Sequence, residues 1–408
     1  MISAQAHRAV KISEHVYWVG AIDWGIRDFH GYSTPRGTTY NAYLVTGDDF
    51  ILIDTVKAPF HDEMMSRVAS VTSPDSIRYL VSNHAEMDHS GSFPRVVKAV
   101  KPEKVFASAR GVKALEAHFH LGLDINPVAS GEKVELGGLN FTFLETRMLH
   151  WPDSMMCYLA GDGVLFSQDG FGMHLASSSR FADELPTGIL EEENRRYFAN
   201  ILLPYAPVLL KALARIASSG LEIRMIAPDH GPIWRDPKGI KRFLGWYDTL
   251  ARQEPCSRAV VAYDSMWGST AMMANAAAEG LAAEGIEVAC MSLKSSHRSD
   301  IMAELACSGA FLAGTPTLNN NIFPSMADIM TYARGLKPRN LVGAAFGSYG
   351  WSGEGAKQLD GLLGQMKVEI AAGPLSVNYV PDPDSLAGCR AMGTEVALRL
   401  KEVLGNGR

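Results

Sequence analysis

The chain is short of several things, and each shortage excludes a class of protein. It has five cysteines in 408 residues. Cys157, Cys256, Cys290, Cys307 and Cys389 are scattered, odd in number and free of any C-x-x-C spacing. That argues against a disulfide framework, an iron–sulfur cluster or a built-in rubredoxin centre, and it fits a reducing, cytoplasmic location. Positive charge is also scarce. With 38 Lys and Arg against 44 Asp and Glu the net charge is −6, which argues against nucleic acid as a partner. No apolar run reaches the length of a membrane span, and the N-terminus shows no signal-peptide core, so no membrane association is expected. A G-x-G-x-x-G run in the right context is missing, so NAD or FAD binding is not expected. Repeats and low-complexity tracts are missing too. What remains is 47% apolar and 20% charged residues: an ordinary soluble chain, long enough for two or three domains with ample core.

The most informative run is Asn83-His84-Ala85-Glu86-Met87-Asp88-His89-Ser90-Gly91. It places His84, Glu86, Asp88 and His89 within six positions, in the pattern H-x-E-x-D-H, directly after the apolar stretch Ile77 to Val81. A strand that ends in such a loop aims its ligands into one cavity. Nitrogen and oxygen donors without thiolate favour zinc, iron or manganese. A plainer reading is a polar loop capping a helix from Ser90, but a cap needs one Ser or Asp and not two His with two carboxylates. Three further residues stand where apolar segments run out into loops: His150 before Trp151-Pro152-Asp153, Asp169 after Phe166-Ser167-Gln168, and His230 after Pro228-Asp229. Each alone reads as an ordinary loop residue; together with the first cluster they read as a metal site on a rigid scaffold.

A second pattern starts at Ser257. Arg258 to Tyr263 reads as a buried strand. It runs into Asp264-Ser265-Met266-Trp267-Gly268-Ser269-Thr270, and a helix is expected from Ala271 to Glu284. Strand, small polar loop and helix make a phosphate-binding arrangement, although Ser269 or Thr270 would also serve as a simple helix cap. Two later loops point the same way. One is Gly314-Thr315-Pro316-Thr317-Leu318-Asn319-Asn320, after Ala310 to Ala313. The other is Gly347-Ser348-Tyr349-Gly350-Trp351-Ser352-Gly353, after Leu341 to Phe346. The three loops are expected at the C-terminal ends of strands 1, 3 and 4 of a five-stranded, doubly wound parallel sheet, where such sheets bind FMN. Trp267, Tyr349 and Trp351 could stack on an isoalloxazine, or could equally serve packing. Thr249 to Pro255 reads as the linker between the halves. The expected domains are 1–252 and 257–408. In the first, Phe50 to Ile53 and Ile77 to Val81 read as strands. Gly111 to Phe119, Glu191 to Leu203 and Val208 to Ser218 read as helices, the last two parted by Pro204 and Pro207.

Across nearly its whole length the chain resembles the flavodiiron proteins. The first half is similar to the metallo-β-lactamase superfamily, whose hydrolases usually carry a second His where this chain has Glu86. An added carboxylate is a hard, negative donor suited to redox-active iron more than to zinc. The resemblance implies an α/β chain: an N-terminal metallo-β-lactamase-like αββα sandwich, followed by a flavodoxin-like five-stranded parallel sheet. It implies two non-haem irons on His84, Glu86, Asp88, His150, Asp169 and His230, with Asp169 bridging; His89 also matches, at a position that does not always bind metal. It implies FMN held by Ser265, Met266, Trp267, Gly268, Ser269, Thr270, Pro316, Thr317, Leu318, Asn319, Ser348, Tyr349, Gly350, Trp351 and Gly353. His30, Tyr197 and Phe198 match positions beside the irons, with His30 and Tyr197 as catalytic candidates. For His30 an ordinary structural histidine is nearly as good a reading. The implied reaction is reduction of O2 to water, of NO to N2O, or both, fed through FMN by a one-electron donor such as rubredoxin in a head-to-tail homodimer. A dizinc hydrolase with an accessory flavodoxin-like domain, and a flavin carrier with a vestigial metal domain, are the alternatives. His118 and His120 read as structural, and His174 has no motif reason to bind metal.

Overall fold

The structure is a computed structural model that describes residues 7–406; the outermost residues of the two expected domains lie outside that range. One compact unit comprises the residues up to Tyr197 together with Tyr205–Asp248. The other joins Phe198–Pro204 to the residues from Thr249 onward.

The first unit is built on two sheets. The larger has the order Val10–Lys11, Val16–Trp18, Tyr43–Thr46, Phe50–Ile53, Ile77–Ser82, Lys104–Ser108, Ile125–Val128. The smaller has the order Lys133–Leu136, Leu139–Glu145, Met155–Leu159, Val164–Gln168, Met225–Pro228. Side-chain alternation along each strand decides what faces what. Tyr43, Val45, Ile51, Ile53, Val81 and Phe106 pack with Phe141, Phe143, Met155, Cys157 and Phe166 in one core. Their neighbours Leu44, Leu52, Leu80, Val105 and Ala107 face Met64, Val68, Phe93, Val96, Val100 and Leu115 in a second core. Those last side chains come from the helices His61–Ala69, Phe93–Val100 and Ala109–Phe119. The expected sandwich with helices outside is the observed one.

Three expectations change. The stretch from Glu191 does hold two α-helices with Pro204 between them, but the bounds differ and Pro207 lies in the first turn of the second helix. An α-helix Thr187–Tyr197 passes through a π-turn at Phe198–Leu202 and a tight turn at Leu203–Tyr205 into the helix Ala206–Ser218. By length and composition the whole run Thr187–Ser218 could cross a membrane, against the expectation that no run would. Leu190, Tyr197 and Leu209 of this run are buried within the first unit. The linker also begins later than expected, because the helix Pro237–Arg252 continues through Thr249 to Arg252.

The second unit carries the parallel sheet. Its strand order is Glu287–Ser292, Arg258–Tyr263, Ala310–Leu318, Val342–Tyr349, and then a fifth position held by Glu369–Ile370 and Leu375–Asn378. This is order 2-1-3-4-5, the flavodoxin-like arrangement. Gly373 and Pro374 interrupt the fifth strand, where a residue with no side chain and one with no N–H weaken a ladder. Asn321–Ile322 folds back antiparallel on the third strand. Inside this unit Asn200 donates to the Ser299 carbonyl at 3.1 Å and accepts from the Tyr332 hydroxyl at 2.9 Å.

Candidate metal centre and flavin cavity

The strand Ile77–Ser82 ends in an extended segment that leads into the four-residue helix Met87–Ser90. His84 and Glu86 lie before that helix and Asp88 and His89 within it, so one short run serves two directions. Asp169 follows the strand Val164–Gln168, and the Gln168 side chain clamps the turn. It accepts from the Asp169 amide at 2.6 Å and donates to the Leu149 carbonyl at 2.6 Å. Through that carbonyl the loop carrying His150 is tied to the one carrying Asp169. His230 follows the strand Met225–Pro228, and the amide of Asp229 donates to the Gln168 carbonyl at 3.3 Å.

These side chains form two sets around one carboxylate. His150 Nε2 is 3.2 Å and His84 Nε2 3.6 Å from Asp169 Oδ2, and Glu86 Oε2 is 3.2 Å from His84 and 3.3 Å from His150. On the other side His89 Nε2 is 3.2 Å and His230 Nε2 3.5 Å from Asp169 Oδ1. Asp88 completes that set, 3.4 Å from His89 and 3.1 Å from His230. All seven sequence-predicted metal residues therefore converge, His89 included, and Asp169 offers a separate oxygen to each set. Both groups, His84 with Glu86, His150 and Asp169, and Asp88 with His89 and His230, have the spacing to hold a metal ion.

Buried polar atoms here make the same point. Both oxygens of Asp88, both ring nitrogens of His89 and Oδ1 of Asp169 are shut off from solvent without a hydrogen bond of acceptable geometry. Unpaired groups of this kind are costly in a protein interior. Two metal ions would satisfy the Asp88 and Asp169 oxygens and His89 Nε2, while His89 Nδ1 faces Asp229; an all-N/O donor set with three carboxylates suits iron. Electrostatics follow from the crowding. Burial alone would push the His84 pKa down, but the Asp153 and Glu86 carboxylates outweigh it and hold it at about 10. His89 and His150 are likewise raised against burial, His89 by Asp88 and Asp169, His150 by Asp169 and Glu86. Burial would raise Asp169, and the surrounding imidazoles hold it well below the usual carboxylate range.

Residues without a motif of their own orient the ligands. Asp153 Oδ2 accepts from the Ala85 amide at 2.7 Å and lies 3.4 Å from His84 Nδ1. The Thr39 carbonyl accepts from His230 Nδ1 at 2.6 Å, which fixes Nε2 as the free lone pair facing Asp88. Asp229 Oδ2 lies 3.6 Å from His89 Nδ1. The sequence held a faint signal for Asp153 and Asp229, which stand three residues after His150 and one before His230. It held none for Thr39. His30 and Tyr197 flank the same centre. His30 Nε2 is 3.7 Å from Glu86 Oε1 on a largely exposed side chain, and the buried Tyr197 hydroxyl donates to the Asp169 carbonyl at 3.3 Å. Phe198 falls in the second unit. His174 packs against the His230 ring with centroids 4.5 Å apart and bonds Thr38 Oγ1 at 2.8 Å. His118 sits near Met87 Sδ at 3.2 Å.

In the second unit a cavity of about 450 Å³ opens at the C-terminal ends of the parallel strands. Met266, Trp267, Ser269, Pro316, Thr317, Leu318, Asn319, Ser348, Tyr349, Gly350 and Trp351 line it, as the sequence predicted, together with Asn320 and Ser352 from the same predicted loops and with Tyr379, which was not predicted. The other four expected residues shape its wall from behind. Ser265 Oγ accepts from the Gly268 amide at 3.0 Å, Thr270 and Ser348 hydroxyls bond at 2.8 Å, and Gly353 packs on the Tyr349 ring. Gly268 has φ +93 and offers no side chain to cap the helix Ser269–Ala283. The first amides of that helix are thus left for an anion. Pro316 and Thr317 lie on the strand Ala310–Leu318 and not on a loop, since Thr315 and Pro316 continue the ladder with Gly347 and Ser348. Trp267 and Trp351 are 94% and 88% exposed beside the cavity, a wasteful placement unless a flat apolar ligand or partner covers them.

Family models match both halves: ODP family beta lactamase over residues 38–231 and flavodoxin over 261–393. Rubredoxin-oxygen oxidoreductase of Megalodesulfovibrio gigas is 44% identical across 97% of this chain and 99% of its own length. Nitric oxide reductase of Moorella thermoacetica is 41% identical across 96% and 99%. The crystal structure of the flavodiiron protein from Giardia intestinalis superposes with a TM-score of 0.93 at 30% identity, covering 98% of this chain and 99% of that one. The chain belongs to the flavodiiron proteins. As a flavodiiron protein it is an oxidoreductase of α/β architecture whose cofactors are FMN and a non-haem iron pair.

Proposed function

We propose that this flavodiiron protein reduces O2 to water, NO to N2O, or both, using electrons delivered singly by a small carrier such as rubredoxin. The observation that carries the reading is Asp169, whose two oxygens each face one complete ligand set. The names of the relatives, an oxygen oxidoreductase served by rubredoxin and a nitric oxide reductase, support the substrates and the donor. Residues 1–252 form the diiron domain and 257–408 the FMN domain in this reading. His84, Glu86, His150 and Asp169 hold one iron, and Asp88, His89, His230 and Asp169 the other. The cavity residues from Met266 to Trp351 hold FMN, with its phosphate at the Ser269 helix terminus and its ring among the tryptophans.

When bound, the irons and FMN together store four electrons, the number O2 needs to reach water, and leave open positions for a diatomic gas. The protein's residues do the rest. Asp153 and the Thr39 carbonyl fix the tautomers of His84 and His230, so that each presents Nε2 inward. Tyr197 closes one wall and its hydroxyl steadies the Asp169 main chain. His30, near Glu86 yet largely open to water, can bring protons to the centre. Burial of the cluster keeps bulk water away. The exposed tryptophans suit a head-to-tail homodimer in which each subunit covers the flavin of the other, in keeping with the prevalence of two-fold pairs. The cytoplasm is the compartment that fits five free cysteines.

A dizinc hydrolase does not account for Glu86 or for the flavodoxin half. The deciding experiment combines iron and acid-released flavin analysis with anaerobic stopped-flow of the fully reduced protein against O2 and NO separately. About two irons and one FMN per chain, with rapid oxidation by at least one gas, is the expected result. Zinc without flavin would sink the reading.

A further inference from the structure

Asn41 lies between the strands Thr38–Tyr40 and Tyr43–Thr46 and is wholly buried. Its backbone amide donates to the Asp229 carbonyl at 2.7 Å. Its side chain donates from Nδ2 to the carbonyls of Pro228, at 2.7 Å, and Gly231, at 2.9 Å, while Oδ1 accepts from Trp18 Nε1 at 2.8 Å. These partners fix which way the amide points, since an indole N–H can only donate and a carbonyl can only accept. The place calls for two donors and one acceptor on a short side chain, which is what Asn supplies.

Pro228 and Gly231 bracket His230. Gly231 has φ +81, and a Cβ there would stand 2.7 Å from the Met173 carbonyl oxygen, so the loop turns sharply straight after His230. Both bracketing residues are buried, where a carbonyl left without a donor is costly. Other side chains reach one end of the loop each: the Tyr43 hydroxyl donates to the Pro228 carbonyl at 2.6 Å, and Thr39 Oγ1 accepts from the Gly231 amide at 2.8 Å. Asn41 grips both ends with one planar group and so sets the span that carries His230. Trp18 anchors Asn41 in turn, its buried ring packed by the guanidinium groups of Arg67 and Arg180 at 4.6 and 4.4 Å from the centroid.

We propose that Asn41 is a positioning residue for the metal centre. It holds the loop from Pro228 to Gly231 in the arrangement that keeps His230 Nε2 beside Asp88 and Asp169, at 3.1 and 3.5 Å. Asn41 bonds no proposed ligand side chain; it acts through the backbone on either side of His230. The inference rests on the reading of His230 as a ligand, and its test includes a variant that examines that reading by itself.

Asn41→Asp keeps the shape of the side chain but offers at most one donor where two are needed. Anomalous diffraction at the iron edge, from crystals equilibrated at a series of buffered ferrous concentrations, reads the occupancy of each metal position without turnover. The position at Asp88, His89 and His230 should need about tenfold more free iron to half-fill than in the wild type. The shift at the position of His84, Glu86 and His150 should be smaller, and FMN content should not change. Asn41→Ser, uncharged and too short to span both carbonyls, makes the same test should Asn41→Asp fail to fold. His230→Ala should empty the same position. Full iron in His230→Ala overturns the ligand reading, and this inference with it. An emptied His230→Ala beside a shift under twofold at that position in a folded Asn41 variant overturns this inference alone; earlier melting of such a variant would then mark Asn41 as packing and nothing more.

Discussion

At the scale of single residues the centre divides into groups that would hold metal and groups that aim them. Asp169→Ala removes the one carboxylate common to both sets, so the variant should lose iron and gas reduction while keeping FMN, whose cavity lies in the other unit. Metal and flavin analysis of the same sample checks this; normal iron and turnover would mean Asp169 is not a ligand. Asp153→Ala acts at one remove. It frees the His84 ring and the Ala85 amide, and should weaken iron binding about 10- to 100-fold, as loss of such a partner typically does. Competition with a chelator of known affinity measures it, and a change under twofold would leave Asp153 a purely structural role. The residues proposed as ligands were legible in the sequence because a metal needs several donors of a few residue types, and these gathered at strand ends. The Thr39 carbonyl was not, and Asp153 and Asp229 only faintly, because each acts through one atom whose position only the fold supplies.

At the scale of elements, repeated patterns were readable and exceptions were not. The strand Phe50–Ile53 stands where the apolar run placed it. Gly314, Thr315 and Pro316 resemble a turn, yet pairing with Phe346, Gly347 and Ser348 draws them into a buried strand. Tertiary pairing here overrides local preference. Tyr379 escaped notice for a similar reason: it reaches the flavin cavity only because Leu375–Asn378 pairs beside Val342–Tyr349. Gly268 stands at the turn between the first loop and its helix. Its left-handed backbone turns the first loop into the helix without a capping side chain, and a β-branched residue is strained there whatever the space. Gly268→Val should weaken FMN binding about 5- to 150-fold, from roughly 1–3 kcal/mol of strain, and leave iron content unchanged. Fluorescence titration of the apoprotein with FMN reads the first and metal analysis the second; undiminished FMN affinity would remove this turn from the binding argument.

At the scale of the whole molecule, metal, protons and charge are linked. Before metal binds, His84, with a pKa of about 10, and His89, raised well above the usual imidazole value, carry protons at neutral pH, and the His150 pKa is shifted in the same direction. A ligand nitrogen must give up its proton to coordinate, so loading should release protons and apparent iron affinity should rise with pH through the neutral range. Calorimetry of ferrous loading in buffers of different ionisation enthalpy checks the sign; a heat independent of buffer would contradict it. The shared carboxylate has one more consequence. Because each oxygen of Asp169 serves a different set, the first ion to arrive orders the group the second one needs. Occupancy should therefore be all-or-none. Under-loaded protein should be a mixture of empty and doubly filled molecules, with the singly filled species scarce, as native mass spectrometry of a partial titration can count.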